Sequence, residues 1–310
     1  MSRSGLVEAV PHPVWWDGRE VSPTSDPLVG HATADLVIVG GGLTGLWAAI
    51  EAADAEPGRR IVVLEQGIVA SGASGRNGGF ISDSLTHGLT HGVSQWPDEI
   101  ETLVRLGREN LQAIVDFVDR EGIDADLRLC GKTMLATRPH EVAALQNLAA
   151  LHRRFGDDAT FLDQTAARAD VDSPTYLAGV RLRIGGLLHP VALTCGLRDA
   201  ALARGVVLHE RSRAIDLATG AAGAVVRTES GRVLAAQALL ATNAFEPLLK
   251  RLRLMVVPVW DHVIATEPLS TDQIAAIGWS ENQGLTDAGN QFHYYRRTPD
   301  DRILFGGYDA

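Results

Sequence analysis

Two short stretches and one carboxylate carry the residue types from which a cofactor site is built. Gly40-Gly41-Gly42-Leu43-Thr44-Gly45 has the spacing G-x-G-x-x-G. At the first of these positions a glycine permits a tight turn, at Gly42 it lets backbone approach a pyrophosphate, and at Gly45 it lets a helix pack close to a strand. Leu43 and Thr44 then open a helix whose free N–H groups and positive end favour phosphate. Glu65 lies 25 residues after Gly40, where a carboxylate accepts ribose hydroxyls and disfavours a 2′-phosphate. This pattern by itself does not separate FAD from NAD. The stretch Ser71-Gly72-Ala73-Ser74-Gly75-Arg76-Asn77-Gly78-Gly79-Phe80 does. Its glycines, serines, Arg76 and Asn77 form a loop of donors able to lie against a flat or anionic ligand. A nicotinamide enzyme needs no such loop straight after its second strand, whereas a flavin runs past that point.

The elements around these residues read consistently. Asp35–Val39 is a short apolar run rich in Val and Ile, as expected of a strand buried on both faces. Leu46–Ala53 is rich in Ala and Leu and reads as a helix, and Ile61–Glu65 as a second buried strand. Strand, glycine turn, helix and parallel strand make a right-handed βαβ unit. Pro97–Arg120 carries apolar residues at three- and four-residue steps and predicts an amphipathic helix; Pro139–Phe155 predicts another. Leu197–Ala203 reads as helix, Val206–Leu208 as a strand, and 224–228 with 232–234 as a hairpin. Ala238–Thr242 reads as a separate strand, Met255–Thr266 as a long β run, and 293–297 with 302–305 as a hairpin. Residues 1–33 hold four prolines and read as an extended arm.

The strand-GGGLTG-helix, VVLEQ and ASGASGRNGG together resemble the FAD-dependent amine and amino-acid oxidases of the D-amino-acid oxidase superfamily. GASGRNGG brings the chain nearest the γ-glutamylputrescine oxidase-like branch. Weaker matches follow at Gly186–Pro190, Ala203–Val206, Leu240–Ala244, Pro258–Leu269, Tyr294–Arg296 and Arg302–Gly307. The resemblance implies an α/β fold: a Rossmann-like FAD-binding domain with an inserted α+β substrate domain on a mostly antiparallel sheet. It places the FAD domain at 34–95 and 190–245 and the substrate domain at 96–185 and 250–310. Members of this family run on to a second glycine-rich segment that closes over the flavin, so the end at Ala310 reads as a truncation of the last third or so. The expected FAD contacts are Gly40, Gly42, Leu43, Thr44, Gly45, Glu65, Gln66, Ser74, Arg76, Asn77, Gly78, Gly79, Val207, Ala241, Thr242 and Asn243. The implied reaction is oxidation of a C–N bond of an amine or amino acid by hydride transfer to flavin N5, with dioxygen as acceptor. A flavin dehydrogenase serving a quinone or protein acceptor, and an inactive fragment, are the competing readings.

Other candidates stay open. His87 and His91 flank glycines that disfavour a helix and lack a placed carboxylate, so they suit a substrate channel or an ordinary loop better than a metal. Trp260 and His262 share a strand face by alternation and either line an active-site wall or pack. Tyr294 and Arg296 share another face and either meet a substrate carboxylate or cap a sheet. No residue stands out as a catalytic acid or base.

Composition bounds the rest. The 310 residues are 45% hydrophobic and 21% charged, with a net charge of −10. That excludes a largely disordered chain and argues against a general nucleic-acid or anionic-membrane binder. Cys130 and Cys195 are far apart, so neither a disulfide scaffold nor a zinc site is expected, and both read as small buried apolar groups. With no 18-residue apolar run and no secretory leader, the expectation is a cytoplasmic protein.

Overall fold

A computed structural model of the chain describes residues 13–19, 23–221, 223–259 and 261–307. The first half contains β1 (Gly30–Val39), α1 (Leu43–Ala55), β2 (Ile61–Leu64), β3 (Phe80–Ile81), α2 (Leu89–Gln95) and α3 (Ile100–Arg120). There follow β4 (Lys132–Ala136), α4 (Pro139–Arg154), β5 (Ala159–Leu162), α5 (Gln164–Asp170), β6 (Ala178–Leu182) and β7 (Gly186–Leu187). Next come α6 (Pro190–Ala203), β8 (Val207–His209), β9 (Ala214–Gly220), β10 (Gly223–Thr228) and β11 (Gly231–Leu240). The chain closes with β12 (His262–Ala265), α7 (Thr271–Ile277), β13 (Gly284–Asp287), β14 (His293–Arg297) and β15 (Ile303–Gly307). Among the described residues no helix is long and apolar enough to cross a membrane.

These elements form two compact units. One holds the described residues up to Arg76 together with Pro190–Pro258; the other holds Asn77–His189 and the residues from Val259. The first is built on a six-stranded sheet in the order β8-β2-β1-β11-β10-β9. Its first four strands are parallel and the last three form an antiparallel meander. Val37, Ile38 and Val63 are fully buried, as their β-branched run demands, and α1 packs against α6. The second unit holds a seven-stranded sheet, β12-β15-β14-β13-β4-β6-β5, antiparallel except where β13 meets β4. A two-stranded ribbon, β3 with β7, belongs to the same unit.

Several expectations need correction. The arm does not run to residue 33: β1 begins at Gly30, paired with Gly231, and Trp15 and Leu28 are buried. The boundary between units falls at Arg76, earlier than 95, because the β3–β7 ribbon ties the chain after Asn77 into the second unit. The long β run at 255–266 shrinks to β12. Pro258 lacks an N–H for a ladder, and Leu254, Met255 and Val257 are exposed. Residues 232–234 and 238–242 are not separate strands, because Ala235-Ala236-Gln237 contains no breaker and β11 runs through it. A helix, α2, does form at His91. Gly92 is required there, since a Cβ would meet Thr86 Oγ1 and Ile100 Cδ1 at 2.5 and 2.7 Å. Cys130 and Cys195 are half-buried rather than buried.

Candidate functional site

In the first unit the glycine turn sits at the C-terminal ends of β1, β2 and β11, where a doubly wound sheet places its ligand. Gly40 has φ +113°, and a side chain there would run into the carbonyl of Ala241. Any side chain at Gly45 would run into the carbonyl of Gly40. The turn therefore closes as tightly as the motif requires, and α1 starts straight after Gly42 with its first-turn N–H groups outside the helical ladder. Glu65 projects from the end of β2. Its Oε2 accepts from Gly41 N–H at 2.8 Å and its Oε1 from Gly67 N–H at 2.8 Å. The carboxylate thus braces the turn while leaving lone pairs for hydroxyl donors.

The donor loop folds back on the same turn. Ala73–Gly75 make a 3-10 turn, and Ser74 Oγ accepts from Leu43 N–H at 3.0 Å. Thr194 of α6 donates to Ser74 O at 3.4 Å. Ala241 N–H donates to Val39 O at 2.8 Å, so the end of β11 lies beside Gly40, with Thr242 and Asn243 (φ +48°) just beyond. Val207 lies on β8, an edge strand, and is exposed. Thr44 and Gln66 are exposed as well. Backbone donors at a helix start, an acidic acceptor on the neighbouring strand and a glycine turn closed against Ala241 are the donor set a dinucleotide needs, and these residues fit FAD.

The loop continues into the second unit. Arg76 is exposed and spends its Nε on Ser71 O at 2.8 Å, within the first unit. Asn77 is exposed and accepts from Gly79 N–H at 2.9 Å. Gly78 and Gly79 are buried, and a Cβ on Gly78 would press on the Tyr294 ring at 2.5 Å. Phe80 meets Tyr294 edge to face at 5.8 Å and lies over Gly284, where a side chain would collide with it. Tyr294 donates to Asp261 Oδ2 at 2.9 Å. Arg296, fully buried, donates from Nη1 to Leu188 O at 2.6 Å and Gly79 O at 3.2 Å. Burial, and then the neighbouring Arg128, push its pKa down to about 10.

Tyr294 and Arg296 are therefore brought together with Gly78 and Gly79. The other two described substrate candidates are not. His262 pairs with Gly307, on the register that also holds His293, so it faces away from Tyr294 and is exposed. His87 (φ +54°) is exposed ahead of α2 and meets His91 at 6.5 Å. His91 in turn bonds Thr86 O at 2.8 Å. Among the described residues no metal cluster forms. Trp260 lies outside the described residues.

Lys132, which no sequence signal marked, opens β4 opposite Gly284 and Leu182. Burial lowers its pKa, opposed only by Asp83. A lysine depressed in the fold destabilises it below the unfolded value of 10.5, and that penalty fades as pH rises toward that value. Lys132→Met should thus raise the melting temperature at pH 7, with the gain shrinking toward pH 10. A lower melting temperature at pH 7 would contradict this.

Comparison with known proteins agrees with this geometry. The chain is 33% identical over 291 residues to the gamma-glutamylputrescine oxidoreductase of Escherichia coli K12, covering 91% of this chain and 66% of that one. It is 28% identical over 299 residues to the probable oxidoreductase OrdL of Haemophilus influenzae, covering 94% and 69%. The chain therefore spans about two thirds of the length of each relative. Glycine oxidase from Geobacillus kaustophilus superposes with a TM-score of 0.70 at 20% identity, covering 89% of this chain and 71% of that structure. The model of the DAO family, FAD dependent oxidoreductase, matches residues 35–310. Those matches and the turn closed at Gly40, Glu65, Ser74 and Ala241 make this chain a member of the DAO family of FAD-dependent oxidoreductases.

Proposed function

We propose that the protein oxidises a C–N bond of a primary or secondary amine or an amino acid. The observation that carries this reading is the meeting of Gly40, Leu43, Glu65, Ser74 and Ala241 at the strand ends of the first unit. The likeness to the E. coli gamma-glutamylputrescine oxidoreductase supports the choice of amines. FAD held there would supply the two-electron acceptor at N5 for the hydride of the C–N bond, with dioxygen as the expected final acceptor. Gly40, Gly42, Leu43, Thr44 and Gly45 take the pyrophosphate, Glu65 and Gln66 the ribose side, and Val207 and Ala241–Asn243 the edges of the cofactor. Ser74, Arg76, Asn77, Gly78 and Gly79 line the flavin side, and Tyr294 and Arg296 belong to the substrate side. The first unit is then the FAD-binding domain and the second the substrate domain. The two free cysteines suit a cytoplasmic location.

Anaerobic addition of an amine panel to the yellow protein should bleach the flavin absorption, and air should restore it with peroxide release. Bleaching without peroxide would redirect the proposal to a dehydrogenase; a flavin that no amine reduces would overturn it. Glu65→Ala separates binding from bracing. A charge-assisted hydrogen bond is worth roughly 1.5–3 kcal/mol, so FAD affinity should fall about tenfold or more. If only the melting temperature falls, Glu65 serves Gly41 and Gly67 alone.

A further inference from the structure

Lysine stands at only two positions of the chain, Lys132 and Lys250, among 28 basic residues. Lys250 is exposed in a 3-10 turn of the first unit. Lys132 is half-buried at the start of β4, in the second unit. Gly284 of β13 stands opposite it and has no side chain, and the Phe80 ring takes that place. Met134, two residues on, is opposite Thr286, and Thr286 is opposite Tyr294. Alternation along the strands therefore puts Lys132, Thr286 and Tyr294 on one face of the seven-stranded sheet. Two polar groups on this face lack partners. Among the described residues the Lys132 ammonium has no hydrogen-bond acceptor and no ion-pair partner, and Asp83 acts on it only from beyond ion-pair distance. Thr286 is 8% exposed, and its Oγ1 is buried with no hydrogen-bond partner.

Groups left in this state cost stability. Arginine, which the chain uses almost everywhere else, would stay charged here. Lysine gives up its proton more readily as water is withdrawn, and burial does lower the Lys132 pKa. A neutral lysine carries a free lone pair that attacks carbonyl carbon. We propose that Lys132 is a carbonyl-reactive amine and that it condenses with the aldehyde or keto acid released by the amine oxidation proposed above, a choice of partner that rests on that reading. The nitrogen bonds to the carbonyl carbon, and the proton it loses passes to the carbonyl oxygen, giving a carbinolamine. Loss of water then leaves a C=N bond, with no oxidant or reductant consumed. Thr286, roughly 8 Å away on the diagonal between the two strands, accepts a hydrogen bond from the carbinolamine hydroxyl. Product held in this way occupies the face that carries Tyr294, so accumulated product slows the enzyme.

The test uses the FAD-loaded full chain, propanal and cyanoborohydride, which reduces the C=N bond to a stable secondary amine. Peptide mass spectrometry reads Lys132 and Lys250 in the same sample. At pH 7 Lys132 should be labelled at least about tenfold faster than Lys250, because only the neutral amine attacks. Unfolding in urea should bring the two rates together. Thr286→Val should slow Lys132 alone, by roughly threefold to tenfold. Lys132 labelled no faster than Lys250, or a difference that persists in urea, overturns the assignment. An unchanged Lys132 rate in Thr286→Val, with circular dichroism matching the wild type, overturns the part given to Thr286. This labelling needs no amine substrate. During turnover of an amine that bleaches the flavin, cyanoborohydride should mark Lys132 with the carbon skeleton of that amine; bleaching without the mark overturns the product as partner. Fast propanal labelling of Lys132, in a protein whose flavin no amine reduces, would support the reactive lysine and refute the amine oxidation.

Discussion

Gly42→Val should leave the protein folded and colourless. Gly42 sits at φ −86°, ψ −173°, extended backbone that valine adopts readily. Its neighbourhood does not accept a side chain: a Cβ would lie 2.7 Å from Ser74 Oγ. Ser74 would have to withdraw from Leu43 N–H, leaving a helix-start donor without its acceptor, and the valine methyls would occupy the approach to the pyrophosphate. A loss of at least about tenfold in FAD affinity follows. The absorbance ratio of flavin to protein measures it, with circular dichroism and a melting curve as the folding control. Gly40 and Gly45 make the contrast. Side chains there would meet the backbone carbonyls of Ala241 and Gly40, so substitution should damage the sheet itself and not only the ligand site. A Gly42→Val protein as yellow as the wild type would refute the FAD site.

The difference between these glycines shows how far the sequence could be read. G-x-G-x-x-G fixes a strand, a turn and a helix because each glycine excludes a Cβ for a local reason, and local reasons survive in one-dimensional order. β1, α1 and β2 appear where the apolar runs put them, with β1 and α1 starting earlier, at Gly30 and Leu43. Tyr294 and Arg296 were readable as one face by alternation, and the β14–β15 register keeps that face intact. His262 and its distance from that face were not readable. Which side of a sheet a residue takes depends on which strand pairs with β12 and in what register, and that partner, β15, lies some forty residues on. The same holds for Lys132 and Arg128. A single basic residue has no period or spacing, and only the fold shows that burial lowers one and strips acceptors from the other. Pro258 and the exposed run before it mark the opposite failure. Val-rich composition predicts a strand, but a strand needs a neighbour to pair with.

The second large effect is expected at Glu210, a residue without any sequence signature. It follows β8 and is fully buried. Its Oε2 accepts from Thr24 N–H at 2.6 Å and Ser25 N–H at 3.1 Å, and its Oε1 accepts from Val69 N–H at 2.7 Å. Next to it, Ser212 Oγ accepts from Leu28 N–H at 2.8 Å. One side chain thus ties the chain before β1 and the approach to the donor loop onto the end of β8. Glu210→Ala leaves three backbone donors without acceptors inside the first unit. At about 1–3 kcal/mol for each, softened by water entry and relaxation, the loss should reach about 3–5 kcal/mol. Glu210→Gln should recover only part of the loss, because its carbonyl oxygen can still accept from Thr24 and Ser25 while its NH2 turns a donor toward Val69 N–H. The anchor also bears on function. Val69 precedes Ala70, held at φ +70°, and Ser71, where the loop toward Ser74 begins. Arg211 N–H and Ser212 N–H donate to Gly67 O and Glu65 O at 2.7 and 2.8 Å, fastening the same corner. Glu210→Ala should therefore release flavin at denaturant concentrations well below those at which the second unit unfolds. Chemical denaturation followed by flavin fluorescence and by circular dichroism would separate the two transitions. Coincident transitions at the wild-type midpoint would show that Glu210 supports neither the sheet nor the loop.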